Sequence, residues 1–332
     1  MTALSAIIDP IVADPRARLS SLQHRLRVLD GEGYSPSPSP SSLQTAEANV
    51  RRRLATLASH SSNPVGFLQH FHLARRLLAA DTLHDHDQAT IETFLRVVAL
   101  LASTAAELLD VRQVRLYQDC VFVKEPGHAE TNWHSDLRMT PLDTNDFVTV
   151  WVPLTTIPAG LAGSGLLFAE GSHRDFALPF WYKDAGTGKD LHGRYRQASA
   201  GRMVPGDATF HHGWVLHAAG GWPAEASAPR VAYTVSFFAE GTRTLPQSDQ
   251  LRRGATHDED QESYAEWFPG RVLPGQLARD DLYLPIFGRR RTEKRGREGV
   301  GERENREGRG ERDREKRGGG ARRGGGRERK MG

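Results

Sequence analysis

Apolar positions recur at helical spacing over the first third of the chain and at strand spacing from there to Phe238. Ile7 to Leu29 is amphipathic, and it leads into Tyr34-Ser35-Pro36-Ser37-Pro38-Ser39-Pro40, a linker by composition. From Leu43 to Leu57, Ala and Leu recur every three to four residues, with Arg51, Arg52 and Arg53 on the wet side. A second helix is predicted over Pro64 to Ala80, after the N-cap types Ser62 and Asn63. The third, Thr90 to Leu109, is apolar around much of its circumference, which predicts packing under a sheet.

Beyond Val111 the texture changes to short β-rich runs at Val114 to Tyr117, Cys120 to Lys124, Phe147 to Leu154, Gly165 to Ala169, Ala208 to His211 and Arg230 to Phe238. Few helical patterns separate them, so an alternating α/β fold is disfavoured. The pattern predicts a mainly β protein with flanking helices, built on a jelly-roll core whose mouth can hold a ligand. Arg174 to Ala200, with three glycines, is expected to be a long insert near that mouth. Three segments follow: 1–42, an N-terminal helix and Ser/Pro linker; 43–288, a helical buttress with the jelly roll; and 289–332, a tail.

Charge sharpens that last boundary. The tail carries 18 Lys/Arg against 9 Asp/Glu, a local charge of +9, which leaves 26 basic and 32 acidic residues and a charge of −6 before it. The basic balance therefore belongs to a segment with almost no apolar residues, for which disorder is expected. Interleaved Glu and the absence of aromatics for base stacking speak against nucleic-acid binding there. Cys120 is the single cysteine, so no disulfide within the chain is possible. No run reaches the ~18 unbroken apolar residues of a bilayer span, and Met1 to Ala6 lacks a secretory pattern. A soluble cytoplasmic protein without a membrane partner is the expectation.

The candidate chemistry lies in two segments. In Trp133-His134-Ser135-Asp136, strand alternation puts His134 and Asp136 on one face. His217 falls ten residues after the Gly206-Asp207 turn. Two imidazole nitrogens and one carboxylate oxygen make the facial triad of a non-haem Fe(II) site, which leaves three coordination positions open. His211 and His212 compete with His217 for the third place, but consecutive strand residues face opposite ways, so at most one of them faces the metal. Arg230 opens the last strand, thirteen residues after His217. An arginine pointing into a β-sandwich needs an anionic partner, which a dicarboxylate co-substrate supplies.

Taken in order, these blocks resemble the phytanoyl-CoA dioxygenase family of Fe(II)/2-oxoglutarate oxygenases. The resemblance runs from Val114 to Ala239. It includes Phe122-Val123-Lys124-Glu125-Pro126-Gly127, His134-Ser135-Asp136, Trp151, Gly171-Ser172-His173, Gly206-Asp207 through His217, and Arg230. It implies a double-stranded β-helix (cupin-like) fold, iron on His134, Asp136 and His217, and 2-oxoglutarate anchored by Arg230. Trp151 would lie beside the co-substrate and Lys124 would help hold its carboxylates. The reaction implied uses dioxygen, releases succinate and CO2, and hydroxylates or otherwise oxidises a small organic substrate, with secondary metabolites the first expectation. Halogenating relatives lose the carboxylate that Asp136 supplies. Ser135 stands where the family usually has Gln, and Ala218-Ala219-Gly220 departs from its usual Ser-containing rim.

Other histidines and aromatics have plainer readings. His84-Asp85-His86-Asp87 precedes a helix and is expected to be a solvated cap region; His173 is expected to stabilise a loop. Trp181, Tyr182 and Trp214 could line a pocket, although aromatics in a β-sandwich more often serve the core. Three rival functions follow from the same residues: a jelly-roll binding protein without turnover, an RNA-associated protein recruited by the tail, and a zinc hydrolase using the same ligands.

Overall fold

The structure, a computed structural model, describes residues 2–30, 42–58, 66–78, 87–159, 164–175, 193–246, 268, 272–281 and 284–288. All lie in the unit Met1–Arg290. The Ser/Pro linker, His84 to His86, Trp181, Tyr182 and the tail lie outside the described residues.

Five helices come first: α1 (Thr2–Ala13), α2 (Pro15–Asp30), α3 (Leu43–Ala58), α4 (Leu73–Leu78) and α5 (Gln88–Leu108). Asp87 caps α5 through its side chain, which accepts from Thr90 N at 2.9 Å. Strand β1 (Leu68–Phe71) precedes α4, so the segment expected to be one helix from Pro64 is, where described, a strand and a short helix. His72, at φ 62°, turns the chain between them. Propensity gave way to pairing, because β1 completes the edge of β2 (Gln113–Lys124) through Leu68↔Val123 to Phe71↔Cys120.

The two runs expected at Val114–Tyr117 and Cys120–Lys124 are that single strand β2, passing through Gln118 and Asp119. The larger sheet has the order β1-β2-β10-β5-β8, where β5 is Phe147–Pro153, β8 is Thr209–His212 and β10 is Arg230–Ala239; β12 (Ile286–Gly288) also pairs β2. The smaller sheet runs β3-β9-β6-β7, built from Thr131–His134, His217–Ala219, Leu166–Ala169 and Gln197–Ser199. A short pair joins β4 (Leu142–Asp143) to β11 (Arg243–Thr244). These antiparallel sheets with helices on one side are the jelly-roll, cupin-like architecture expected from the sequence.

Strict alternation in β10 divides the molecule into layers. Val231, Tyr233, Val235 and Phe237 join the core under the helices, with Phe94 and Val98 of α5 and Ile7 and Ile8 of α1. Arg230, Ala232, Thr234 and Ser236 face the other way, toward the smaller sheet. Every residue of β10 is buried, as befits a strand covered on both faces. Helix α5 is long and apolar enough, by length and composition, to cross a membrane. Its apolar face instead packs against the helices and the larger sheet.

Candidate metal centre

His134 ends β3 and stands directly opposite His217 on β9, with ring centroids 4.2 Å apart. An irregularity between Thr131 and His134 shifts the register there, the kind of local kink that re-aims a side chain. Asp136 does not continue the strand as expected; it begins a 3-10 turn, Asp136–Met139. Ser135 between them remains extended, at φ −126° and ψ 137°, so the alternation that pairs 134 with 136 still holds. The turn is anchored from below. Leu137 is fully buried, its N–H donates to Gly213 O at 3.0 Å, and Thr140 Oγ1 donates to Asp136 O at 2.9 Å.

The three side chains offer ligand atoms that all lie within 4.8 Å of one another. His134 Nδ1 lies 2.7 Å from Asn132 O, and His217 Nδ1 lies 3.1 Å from Val215 O. A carbonyl only accepts, so each Nδ1 carries the proton and each Nε2 is left with its lone pair. Both Nε2 atoms face Asp136 Oδ1, at 3.8 and 3.7 Å. Burial pushes His217 down to about 3, helped by the neighbouring His134, so its ring is neutral at ordinary pH. Burial alone would raise the Asp136 carboxyl, but His217, His211 and His134 together hold it well below the usual carboxylate range. A carboxylate and imidazoles that turn Nε2 toward it are the ligands a divalent metal takes. The donor set fits Fe(II).

His211 and His212 separate as their parity demands. His211 points to the centre, its Nε2 3.3 Å from Asp136 Oδ2. His212 points outward, ring to ring with His173 at 5.2 Å, and its Nδ1 accepts from Trp214 N at 3.1 Å. Trp214 packs partly against a core cluster and donates to Asn145 Oδ1 at 2.8 Å.

Arg230 lies deep on the same face. Its residue is 3% exposed, its Nε has no hydrogen-bond partner among the described residues, and its guanidinium carbon stands 5.0 Å from the centroid of the Trp151 ring. Burial draws its pKa down to about 10. A buried guanidinium with an orphaned N–H, stacked on an aromatic, is ready for an anion. Lys124 is paired with Arg230 across β2 and β10, and burial followed by that neighbouring charge lowers it to about 7. Its Nζ donates to Ala129 O at 2.8 Å and Gly220 O at 2.6 Å, tying together the loops that precede β3 and follow β9.

Thr149 carries no signature of its own in the sequence. Its hydroxyl donates to Asp136 Oδ2 at 2.6 Å and lies 3.0 Å from Ser236 Oγ. The available signal was its spacing of two from Trp151 on one strand, which places both on the interior face.

A double-sheet jelly roll with this donor set is an arrangement that non-haem iron oxygenases use. The family model for phytanoyl-CoA dioxygenase (PhyH) matches residues 32–227, and the chain belongs to that family of 2-oxoglutarate-dependent iron enzymes. The match contains His134, Asp136 and His217 and stops just short of Arg230. No curated protein matches the chain. Among solved structures, it is similar to the non-heme alpha-ketoglutarate-dependent carbocyclase SnoK from nogalamycin biosynthesis, at 17% identity, 82% of this chain, 87% of that one and a TM-score of 0.48. The epimerase SnoN of the same biosynthesis matches at 19% identity over 72% of this chain and 98% of its own, with a TM-score of 0.45. EctD from S. alaskensis, with 2-oxoglutarate and 5-hydroxyectoine, matches at 17% identity over 70% of each chain, with a TM-score of 0.39.

Proposed function

We propose that the protein is an Fe(II)- and 2-oxoglutarate-dependent dioxygenase that hydroxylates, or otherwise oxidises, a small organic molecule with release of succinate and CO2. His134 Nε2, His217 Nε2 and Asp136 Oδ1 would hold the metal. Arg230 would take the distal carboxylate of 2-oxoglutarate through paired N–H donors. The observation that carries this reading is Arg230 itself, a buried cation without an anion among the described residues, on the same sheet face that supports Asp136. A hydrolytic zinc site built from the same three ligands would leave that guanidinium without a task.

Iron bound there supplies dioxygen activation coupled to oxidative decarboxylation of 2-oxoglutarate. The chain's own residues contribute geometry and exclusion of water. Trp151 fixes the plane of the Arg230 guanidinium and shields it from solvent. The Asn132 and Val215 carbonyls hold both imidazoles in the tautomer that presents Nε2. Asp136 brings the single negative charge, which leaves the site able to accept an anionic co-substrate.

The test supplies the full chain with Fe(II), 2-oxoglutarate and dioxygen, and screens small molecules with secondary-metabolite scaffolds first in the panel. Succinate above that of D136A, matched by a product that has gained one oxygen or lost two hydrogens, is the expected result. Succinate at the D136A level across the panel, with no change in any candidate, would favour a binding protein without turnover.

A further inference from the structure

The two carboxylate oxygens of Asp136 face different neighbours. Oδ1 looks toward His134 and His217. Oδ2 accepts from Thr149 at 2.6 Å and lies 3.3 Å from His211 Nε2. Because the Thr149 proton is committed to the carboxylate, its contact with Ser236 has one direction only: Ser236 donates and Thr149 accepts. Donors arranged in series polarise one another, so Ser236 strengthens the bond that Thr149 makes.

These residues form a row. Ser236, Thr149 and His211 are register partners on β10, β5 and β8, opposite one another on the interior face. Thr149 and Ser236 are 6% and 4% exposed, and His211 is 6% exposed. Among the described residues neither His211 ring nitrogen makes a well-aligned hydrogen bond, and its Nε2 faces Asp136 Oδ2. A buried imidazole held in that condition is costly unless it serves the group it faces.

We propose that Thr149, backed by Ser236, and His211 are positioning residues that hold Asp136 Oδ2, so that Asp136 presents Oδ1 alone to the metal. The proposal rests on the metal-site reading above. A carboxylate free to turn can chelate through both oxygens and occupy a second coordination position. With two imidazoles already bound, that would leave two open positions rather than three, too few for a chelating co-substrate and dioxygen together. One row of side chains on the larger sheet thereby protects the vacancy on which turnover depends.

Metal affinity of the metal-free full chain tests this, read with Co(II) by its visible absorption and with Fe(II) under anaerobic conditions. T149V removes the donor at nearly constant shape and should weaken affinity about 10- to 100-fold with an altered Co(II) spectrum. T149S, which keeps the hydroxyl, should restore both. H211F should behave like T149V, and H211Q, which keeps an N–H near the Nε2 position, should stay closer to the natural protein. If H211F does not fold, the T149V and T149S pair still decides. Natural affinity and an unchanged spectrum in T149V, alongside lost binding in D136A, would overturn the positioning role and leave the metal site standing. Undiminished binding in D136A would overturn the metal site and the positioning role with it.

Discussion

Arg230 is the residue whose removal gives the clearest signature. It touches no anion among the described residues, and charge-assisted hydrogen bonds are worth about 1.5–3 kcal/mol. R230A should therefore raise the 2-oxoglutarate concentration needed for half-maximal succinate formation by about one to two orders of magnitude, while metal affinity changes little. An unchanged requirement would remove Arg230 from the co-substrate site. His217 gives a second prediction, through pH. Its folded pKa, about 3, lies below the ~6.5 of an unfolded histidine, so the unfolded chain binds more protons between those values. The metal-free protein should lose stability as pH falls from about 6.5 toward 3, and keep that contribution in full above about 6.5. Burial lowers His128 as well, in the same sense. Thermal melting from pH 7 to pH 4 should show the decline, and H217Q should show a shallower one; an equal slope in both would remove His217 as a source. The sequence displayed His134, Asp136, His217 and Arg230 because their residue types and spacings carry chemistry by themselves. It did not display Thr149 or Ser236, whose roles arise only from two strand registers acting together.

At the scale of elements, the 3-10 turn carrying Asp136 depends on close packing at Gly213. A Cβ at that position would meet Leu137 Cγ at 2.6 Å and Phe147 Cδ1 at 2.7 Å. Both are core side chains without a solvent-side escape. G213A should cost about 1–3 kcal/mol of stability. Because Leu137 follows Asp136 directly, it should also weaken Co(II) binding. Calorimetry and metal titration on one preparation check both effects, and natural affinity in a destabilised G213A would uncouple the turn from the site. The six β-rich runs, which fall on five strands, were legible from their apolar residues. Short strands such as β7 and β9 were not, because three residues carry too little periodicity, and β1 lay hidden in a helical pattern because its reason for being a strand is an edge that β2 supplies. Gln118 and Asp119 looked like a break in β2, although the sheet continues through both.

Over the whole molecule, α1 belongs to the same core as α5 and the larger sheet. Leu4, Ile7 and Ile8 are at most 1% exposed, and burying three such side chains contributes on the order of 5 kcal/mol. Removing residues 1–14 should therefore lower the melting temperature steeply and uncover apolar α5 surface. A truncated chain that melts like the natural one would contradict this packing. Removal of 291–332 should act differently, because all described core and site residues lie in Met1–Arg290. Melting and succinate formation should persist without that segment. Any RNA retention should be confined to the full chain.

Strand β3 has four residues, occupies the edge of the smaller sheet, and shares with β9 just the register partners Thr131↔Ala219 and His134↔His217. Few backbone bonds keep such an edge in place. An ion shared by His134 and His217 would be a rivet through both strands, closing a chain segment of more than eighty residues. Order at that border would then follow the occupancy of the centre. Amide exchange at Thr131 to His134 should slow on adding Fe(II) or Co(II), while exchange in β10, buried on both faces, stays nearly as it was.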